Sequence, residues 1–268
     1  MAAKKKVWLT WMPGGEGAAE AAAAAGAALQ KVGLAVGAAV WNPDVDKHAW
    51  TELGGTLAEP GGADVWIVAG ARSDLELPAN RYALSLVSAM VRELRGHTLP
   101  LVLVGLDHAP AADALPTFLD PIKCIDASSA SSWAAKALVA IHGAKPEKVV
   151  DPFRFTCLAH EYFGQWFELG PRQGDWDGVL FGIAGDDAHL QEHAVGEAGD
   201  LPERTRLEYA MHGIKAEVGG TEYTACAVKN RIDGGHSYWV QVKGRPTKLI
   251  FGAHPDAEEQ EAWVVDLV

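Results

Sequence analysis

Residues 63–70, with the sequence ADVWIVAG, form the clearest buried-strand pattern in the chain and decide the fold class of its first half. A second apolar run, LPLVLVGL at residues 99–106, follows a segment at residues 80–95 whose apolar side chains recur at helical spacing. Short, continuous apolar runs of this kind are typical of strands that are covered on both faces, as in parallel sheets. The centre of this half therefore predicts a strand–helix–strand unit of an α/β domain.

The same alternation of strand and helix continues outward from this centre. Strand patterns occur at residues 6–12, 34–41 and 123–126, and helix patterns occur at residues 16–31, 44–57 and 133–141. Five strands separated by helices indicate a doubly wound parallel sheet of the flavodoxin-like type. We predict that this α/β domain spans residues 1–146.

The order of these features resembles that of a Toll/interleukin-receptor (TIR) domain over residues 4–144. The likeness lies in the aromatic first strand VWLTW, in Val32-Gly33-Leu34 at the end of the first helix, in Trp50 before residues 63–70, and in the closing run from Leu115-Pro116 through Phe118-Leu119 and Ile125-Asp126 to Trp133 and Leu138. The resemblance implies a flavodoxin-like fold. It also implies a role in protein association, with a protein partner or by self-association, in bacterial-type signalling.

One departure from the TIR pattern concerns catalysis. Enzymatic members of the family cleave NAD with a glutamate early in the helix after the third strand, whereas residues 79–85 here read ANRYALS and contain no acid. Glu93 lies at the far end of that helix, and Glu76 precedes it at a spacing that does not match. Because no carboxylate is placed to support cleavage, we expect a non-catalytic domain that needs no cofactor.

A nucleotide site at the carboxyl ends of the strands is an alternative hypothesis. Open α/β sheets bind their ligands beyond these strand ends, where this chain carries Gly14, Gly15, Arg72, Ser73, Asp74, Asp107 and His108. However, PGGEG at residues 13–17 is not GxGxxG and has no P-loop lysine. An enzyme or sensor that binds NAD or another nucleotide therefore competes with a simpler interpretation, in which these loops are polar because they face water.

The chain changes character at residues 144–151, a charged segment with a proline that is typical of a linker. Beyond it, strand patterns occur at residues 178–184, 222–229, 237–243 and 248–252, while the aromatic residues 155–169 fit either a helix or a strand. Gly244-Arg245-Pro246 predicts a turn between the last two strands, and residues 256–268 predict a C-terminal helix. We expect residues 147–268 to form a smaller α+β domain with an antiparallel sheet.

The segment HLQEH at residues 189–193 matches a zinc signature. In the inverzincin pattern HxxEH, two histidines share a helix face and the glutamate is a general base. His189, Glu192 and His193 are thus candidates for a zinc-dependent hydrolase, with Glu259 or Glu261 as a further ligand by position only. That family has a longer architecture than the second half of this chain, so an exposed acidic helix or loop is the simpler interpretation.

Composition restricts the partners and the compartment. Acidic residues number 35 and basic residues 23, which gives a net charge of −12. Such a surface repels phosphate backbones and anionic lipid, so we expect neither nucleic-acid nor membrane binding. The three cysteines are far apart and form no disulfide framework, and no apolar run approaches the roughly 18 residues of a membrane helix. The sequence therefore predicts a cytoplasmic protein.

Overall fold

The chain divides into two compact units, Met1–Val150 and Asp151–Val268. The structure is a computed structural model that describes residues 4–12, 16–42, 44, 46–128, 133–143, 150–256 and 262–268. Gly14 and Gly15 of the predicted nucleotide loop, most of the predicted linker, and Glu259 and Glu261 lie outside these residues.

The first unit contains a five-stranded parallel sheet with the strand order β2-β1-β3-β4-β5. Its strands are β1 (Lys6–Trp11), β2 (Ala35–Val40), β3 (Val65–Gly70), β4 (Leu101–Gly105) and β5 (Pro121–Asp126). Every residue of β3 and β4 is buried, as is expected of central strands with both faces covered. The predictions of a parallel sheet and of an α/β fold for this half are confirmed.

Helices cover this sheet. They are α1 (Ala18–Lys31), α2 (Trp50–Ala58), α3 (Arg72–Leu75), α4 (Pro78–Arg95) and α5 (Trp133–Gly143). Leu29 of α1 and Ile141 of α5 are fully buried in one apolar cluster with strand residues such as Ile67. The short helix α3 occupies a stretch that we predicted to be a loop. None of the helices in the described chain is both long and apolar enough to cross a lipid bilayer.

The second unit contains two antiparallel sheets. Its strands are β6 (Phe153–His160), β7 (Gly164–Pro171), β8 (Asp175–Ala184), β9 (His189–Glu197), β10 (Met211–Val218), β11 (Thr221–Asp233), β12 (His236–Lys243), β13 (Lys248–Ala253) and β14 (Ala262–Asp266). One sheet has the order β6-β7-β12-β9, and the other has the order β10-β11-β8-β13-β14.

An aromatic layer joins these two sheets. Phe155 of β6 stacks on Phe251 of β13 at a ring-centroid distance of 5.3 Å. Phe167 of β7 lies 5.7 Å from Phe181 of β8. These rings come from different sheets and are at most 3 % exposed, so the two sheets bury their apolar faces against each other.

The predicted C-terminal helix was wrong. Residues 262–266 form strand β14, whose Trp263 pairs with Phe251 of β13. Val265 and Leu267 are buried, Asp266 between them is partly exposed, and Val264 is 41 % exposed, so burial alternates with the period of a strand. All helices among the described residues lie in the first unit, and the described second unit is therefore all-β rather than α+β.

The prediction that residues 237–243 and 248–252 turn back on each other was also wrong. Strand β12 belongs to the four-stranded sheet, whereas β13 pairs with β8 and β14 in the other sheet. The segment with Gly244, Arg245 and Pro246 therefore carries the chain from one sheet to the other. The aromatic stretch that we left open between helix and strand forms most of β6 and β7, a hairpin in which Phe155 pairs with Leu169.

Two glycines provide a matched test of packing in the second unit. Gly178 and Gly174 have similar positive φ values, 80° and 71°. A Cβ atom on Gly178 would lie 2.8 Å from the Val228 carbonyl oxygen and from His254 Cβ, whereas one on Gly174 would meet nothing within 4 Å. We expect Gly174→Ala to lower the free energy of unfolding by about 1–2 kcal/mol, through backbone strain alone.

Gly178→Ala should cost about 1–3 kcal/mol more than Gly174→Ala, because the new methyl group overlaps its neighbours. Urea unfolding of the two variants, followed by far-UV circular dichroism, measures this difference. Equal losses of stability would contradict the packing described around Gly178.

Candidate functional site

The candidate site of the first unit lies at the carboxyl edge of the parallel sheet. There the chain leaves β3 into α3, which carries Arg72, Ser73 and Asp74, and leaves β4 into the turn with Asp107 and His108. The backbone N–H of Leu106 donates to the Gly70 carbonyl oxygen, at 2.9 Å. This hydrogen bond holds the two exits side by side. The sheet topology thus brings together the residues that the sequence nominated after these strands.

The carboxylate of Asp107 holds the two exits together. Its Oδ1 accepts hydrogen bonds from the backbone N–H of Arg72, at 2.7 Å, and from that of His108, at 2.8 Å. The Arg72 hydrogen bond is the main cause that lowers the pKa of Asp107. After β5, Asp126 Oδ1 similarly accepts from the backbone N–H of Ser128. Both carboxylates therefore stabilise turns rather than stand ready to act on a substrate.

The guanidinium of Arg72 is paired with an acid of its own segment. Its Nε lies 2.7 Å from Oε1 of Glu76, four residues later. Both side chains are partly exposed, so the pair adds little to stability. The pair also bears on the search for a catalytic acid, because Glu76 is the last acidic residue before α4 and its carboxylate is bound to Arg72.

Asn80 occupies the first turn of α4. The first turn of this helix contains no acidic residue. The Asn80 side chain is 4 % exposed. Its Oδ1 accepts a hydrogen bond from Trp41 Nε1 at 2.9 Å, and its Nδ2 donates to the carbonyl oxygen of Asp74 at 2.8 Å. We call this arrangement of Trp41, Asp74 and Asn80 the amide latch.

The amide latch uses both ends of an amide. A carboxylate at this position could accept from the indole N–H but could not donate to a carbonyl oxygen. An asparagine side chain therefore satisfies both partners of the latch, which an ionised carboxylate does not. Sequence reasoning missed both Asn80 and Trp41 as a pair, because they are 39 residues apart. The sequence around Asn80 carries no local signal that would have identified this pair.

The HLQEH segment lies on strand β9 instead of a helix, so the predicted helical arrangement was wrong. His189 and Glu192 are exposed, whereas His193 is 7 % exposed. The pairing of β9 with β12 shifts register between Leu190 and His193, and the two histidines do not share a helix face. Over the residues that the structure describes, no three His, Cys, Asp or Glu side chains cluster as metal ligands.

His193 instead belongs to a polar cluster inside the second unit. Its Nδ1 is hydrogen-bonded to the hydroxyl of Tyr238, and that hydroxyl donates to Cys226 Sγ at 3.2 Å. Its ring centroid lies 4.2 Å from that of His212 on β10. Burial, with a smaller effect of His212, lowers the pKa of His193 to about 4, so this imidazole is neutral at physiological pH.

Comparison with known proteins identifies no family for this chain. No protein-family model matches the sequence, and no curated protein matches it significantly.

The amide latch predicts a specific loss of stability. Asn80→Ala removes the acceptor of the Trp41 indole and leaves buried polar groups unpaired, which we expect to cost about 1–3 kcal/mol of unfolding free energy. Trp41→Phe removes the same hydrogen bond from its other end. Urea unfolding of the two single variants and the double variant should therefore give a coupling energy of about 1 kcal/mol. Strictly additive losses would show that the hydrogen bond contributes nothing.

Proposed function

We propose that residues 1–150 form a non-catalytic, TIR-like association module of a bacterial-type signalling protein, and that the module pairs with a second copy of this chain. A doubly wound, flavodoxin-like arrangement is part of this proposal. The strand order β2-β1-β3-β4-β5 supports it, since flavodoxin-like folds have the same order. The observation that carries the proposal is the uncharged edge strand β2.

Strand β2 is an edge of the parallel sheet, and it has none of the usual protection. Its sequence AVGAAV contains no charge and no proline. Residues 38–40 are exposed, and Val40 retains 40 % of its accessible surface. Natural proteins commonly protect such edges with lysines, prolines or bulges, because a bare edge recruits further strands. An unprotected six-residue edge is therefore suited to pairing with another strand.

Strand β2 also has backbone N–H groups that are directed away from its own sheet, as pairing with a further strand requires. The N–H of Ala35 donates to the Lys5 carbonyl oxygen, and the N–H of Trp41 donates to that of Trp11. Backbone groups alternate in direction along a strand. The N–H groups of residues 36, 38 and 40 therefore point away from β1, toward an incoming strand.

Charge favours a second copy as the occupant. The whole chain carries a net charge of −12, so two copies repel each other over most of their surfaces. The strip β2 is neutral, and two antiparallel β2 strands related by a twofold axis would bring no like charges together. Such an isologous contact is the commonest way in which identical chains associate. It would join two five-stranded sheets into one.

The absence of turnover follows from the amide latch and from the pairing of Glu76 with Arg72. No carboxylate of the first turn of α4 is available to support cleavage of NAD. The described cysteines are all free thiols, in keeping with the cytoplasmic location that we propose. Partners other than protein are not part of this proposal, since the acidic surface disfavours nucleic acid and anionic lipid.

Self-association through β2 is tested by a charge placed on the edge. We expect Ala38→Lys to abolish or strongly weaken the dimer, because two lysines would face each other across the twofold axis and disfavour pairing. Val139→Lys is the matched control, since it adds the same charge on an exposed position of α5, 73 % exposed. Analytical ultracentrifugation over a range of concentrations measures both. A monomeric wild-type chain would overturn the proposal, as would a dimer that Ala38→Lys leaves unchanged.

The non-catalytic assignment is tested separately with NAD. Incubation of the full chain with NAD should release no nicotinamide above the buffer control, as followed by chromatography, and titration with NAD or ATP should not raise the melting temperature. Robust turnover would refute the assignment. Stabilisation without turnover would instead favour the nucleotide-sensor alternative.

A further inference from the structure

We infer that His193 and His212 form a two-histidine site for a divalent transition-metal cation, such as Zn²⁺, Ni²⁺ or Cu²⁺, in the second unit. The two histidines come from different sheets. His193 lies on β9, an edge strand of the four-stranded sheet, and His212 lies on β10, an edge strand of the five-stranded sheet. Their ring centroids are 4.2 Å apart, with an angle of 65° between the ring planes.

The hydrogen bonds of the cluster occupy Nδ1 of His193 and leave its other ring nitrogen, Nε2, without a partner among the described residues. The Tyr238 hydroxyl has one proton, which it donates to Cys226 Sγ at 3.2 Å. With that proton directed to the sulfur, the hydroxyl accepts from His193, and the imidazole proton resides on Nδ1, which is the tautomer that the proposed site requires. This tautomer leaves the lone pair on Nε2. Metal-binding histidines are oriented in the same manner, with the second ring nitrogen donating to a neighbouring oxygen.

Nε2 of His193 is a buried polar atom without a hydrogen-bond partner among the described residues. The side chain as a whole is 7 % exposed. A buried acceptor left unpaired costs free energy, and in native proteins such an atom calls for an explanation such as an ion or a water. The unpartnered buried nitrogen and the adjacent imidazole of His212 together point to a cation.

His212 supplies the second ligand from the solvent side. It is exposed on β10, and the χ2 torsion of histidine is broad, so its ring can turn a nitrogen toward the cation without movement of His193. Imidazole nitrogens suit Zn²⁺, Cu²⁺ and Ni²⁺ and disfavour the harder Mg²⁺ and Ca²⁺. Since no cluster of three ligand side chains occurs in the described chain, water would fill the remaining positions. An open site of this kind is typical of an exchangeable ion rather than a structural one.

This site differs from the one that the HLQEH pattern suggests. The sequence pattern pairs His193 with His189 and Glu192, both of which are exposed on β9. The structure instead pairs it with His212, which lies on the far side of the connection between β9 and β10. The sequence pattern predicts that substitution of His189 weakens metal binding, whereas the proposed site predicts this for substitution of His212.

The experiment uses the full chain, freed of metal with a chelator and titrated with Zn²⁺ by isothermal calorimetry. We expect one site that both His193→Ala and His212→Ala weaken at least about tenfold, as loss of a direct ligand should cost no less than loss of a supporting residue. His189→Ala is the matched control, since it removes a histidine from the same strand, and it should leave the affinity unchanged. Because His212 is exposed, His212→Ala tests the site even if His193→Ala disturbs folding.

A titration with Cu²⁺, followed by electron paramagnetic resonance, reports the ligands directly. The wild-type spectrum should show coordination by two imidazole nitrogens, and the His212→Ala spectrum should lose one of them. The proposal is overturned if the wild type does not bind, if His212→Ala binds as well as the wild type, or if His189→Ala loses as much affinity as His212→Ala.

Discussion

The hydrogen bond from the Trp41 indole to the Asn80 amide is the constraint on which the carboxyl edge of the first unit depends. It joins the segment after β2 to the first turn of α4, and both residues are 4 % exposed. Because an unpaired buried group costs about 1–3 kcal/mol, the position needs a side chain that can both accept and donate. A carboxylate at position 80 could not make both of these hydrogen bonds.

The sequence predicted much of the first unit because each of its elements carries its own local pattern. β3 and β4 are continuous apolar runs, and α4 has a clear apolar face between them. α3 escaped prediction because four residues are too short to show a period. The second unit was harder to predict. Strand β14 directly follows a glutamate-rich stretch, and these glutamates favour a helix in the sequence. The connection from β12 to β13 crosses between sheets, but its Gly and Pro residues would equally suit the turn of a hairpin.

The candidate sites also differ in how far the sequence could predict them. Sheet topology sufficed to place Arg72 beside Asp107, since both follow neighbouring parallel strands. It could not show that the Asp107 carboxylate binds backbone N–H groups instead of the guanidinium. The partners of Asn80 and His193 come from distant strands. The sequence pattern grouped His193 with its neighbours His189 and Glu192 in the chain, whereas in the fold its ring lies beside that of His212.

The associative role that we propose for the first unit resides in its edge strand β2 and not in the crevice at the carboxyl ends of its strands. Strand β2 offers outward N–H groups on residues 36, 38 and 40 in an otherwise acidic molecule. Amide hydrogen exchange at these residues, measured at several protein concentrations, tests this claim most directly. We expect their protection to rise with concentration, because pairing of two β2 strands buries the edge. Exchange that stays fast and independent of concentration would contradict it.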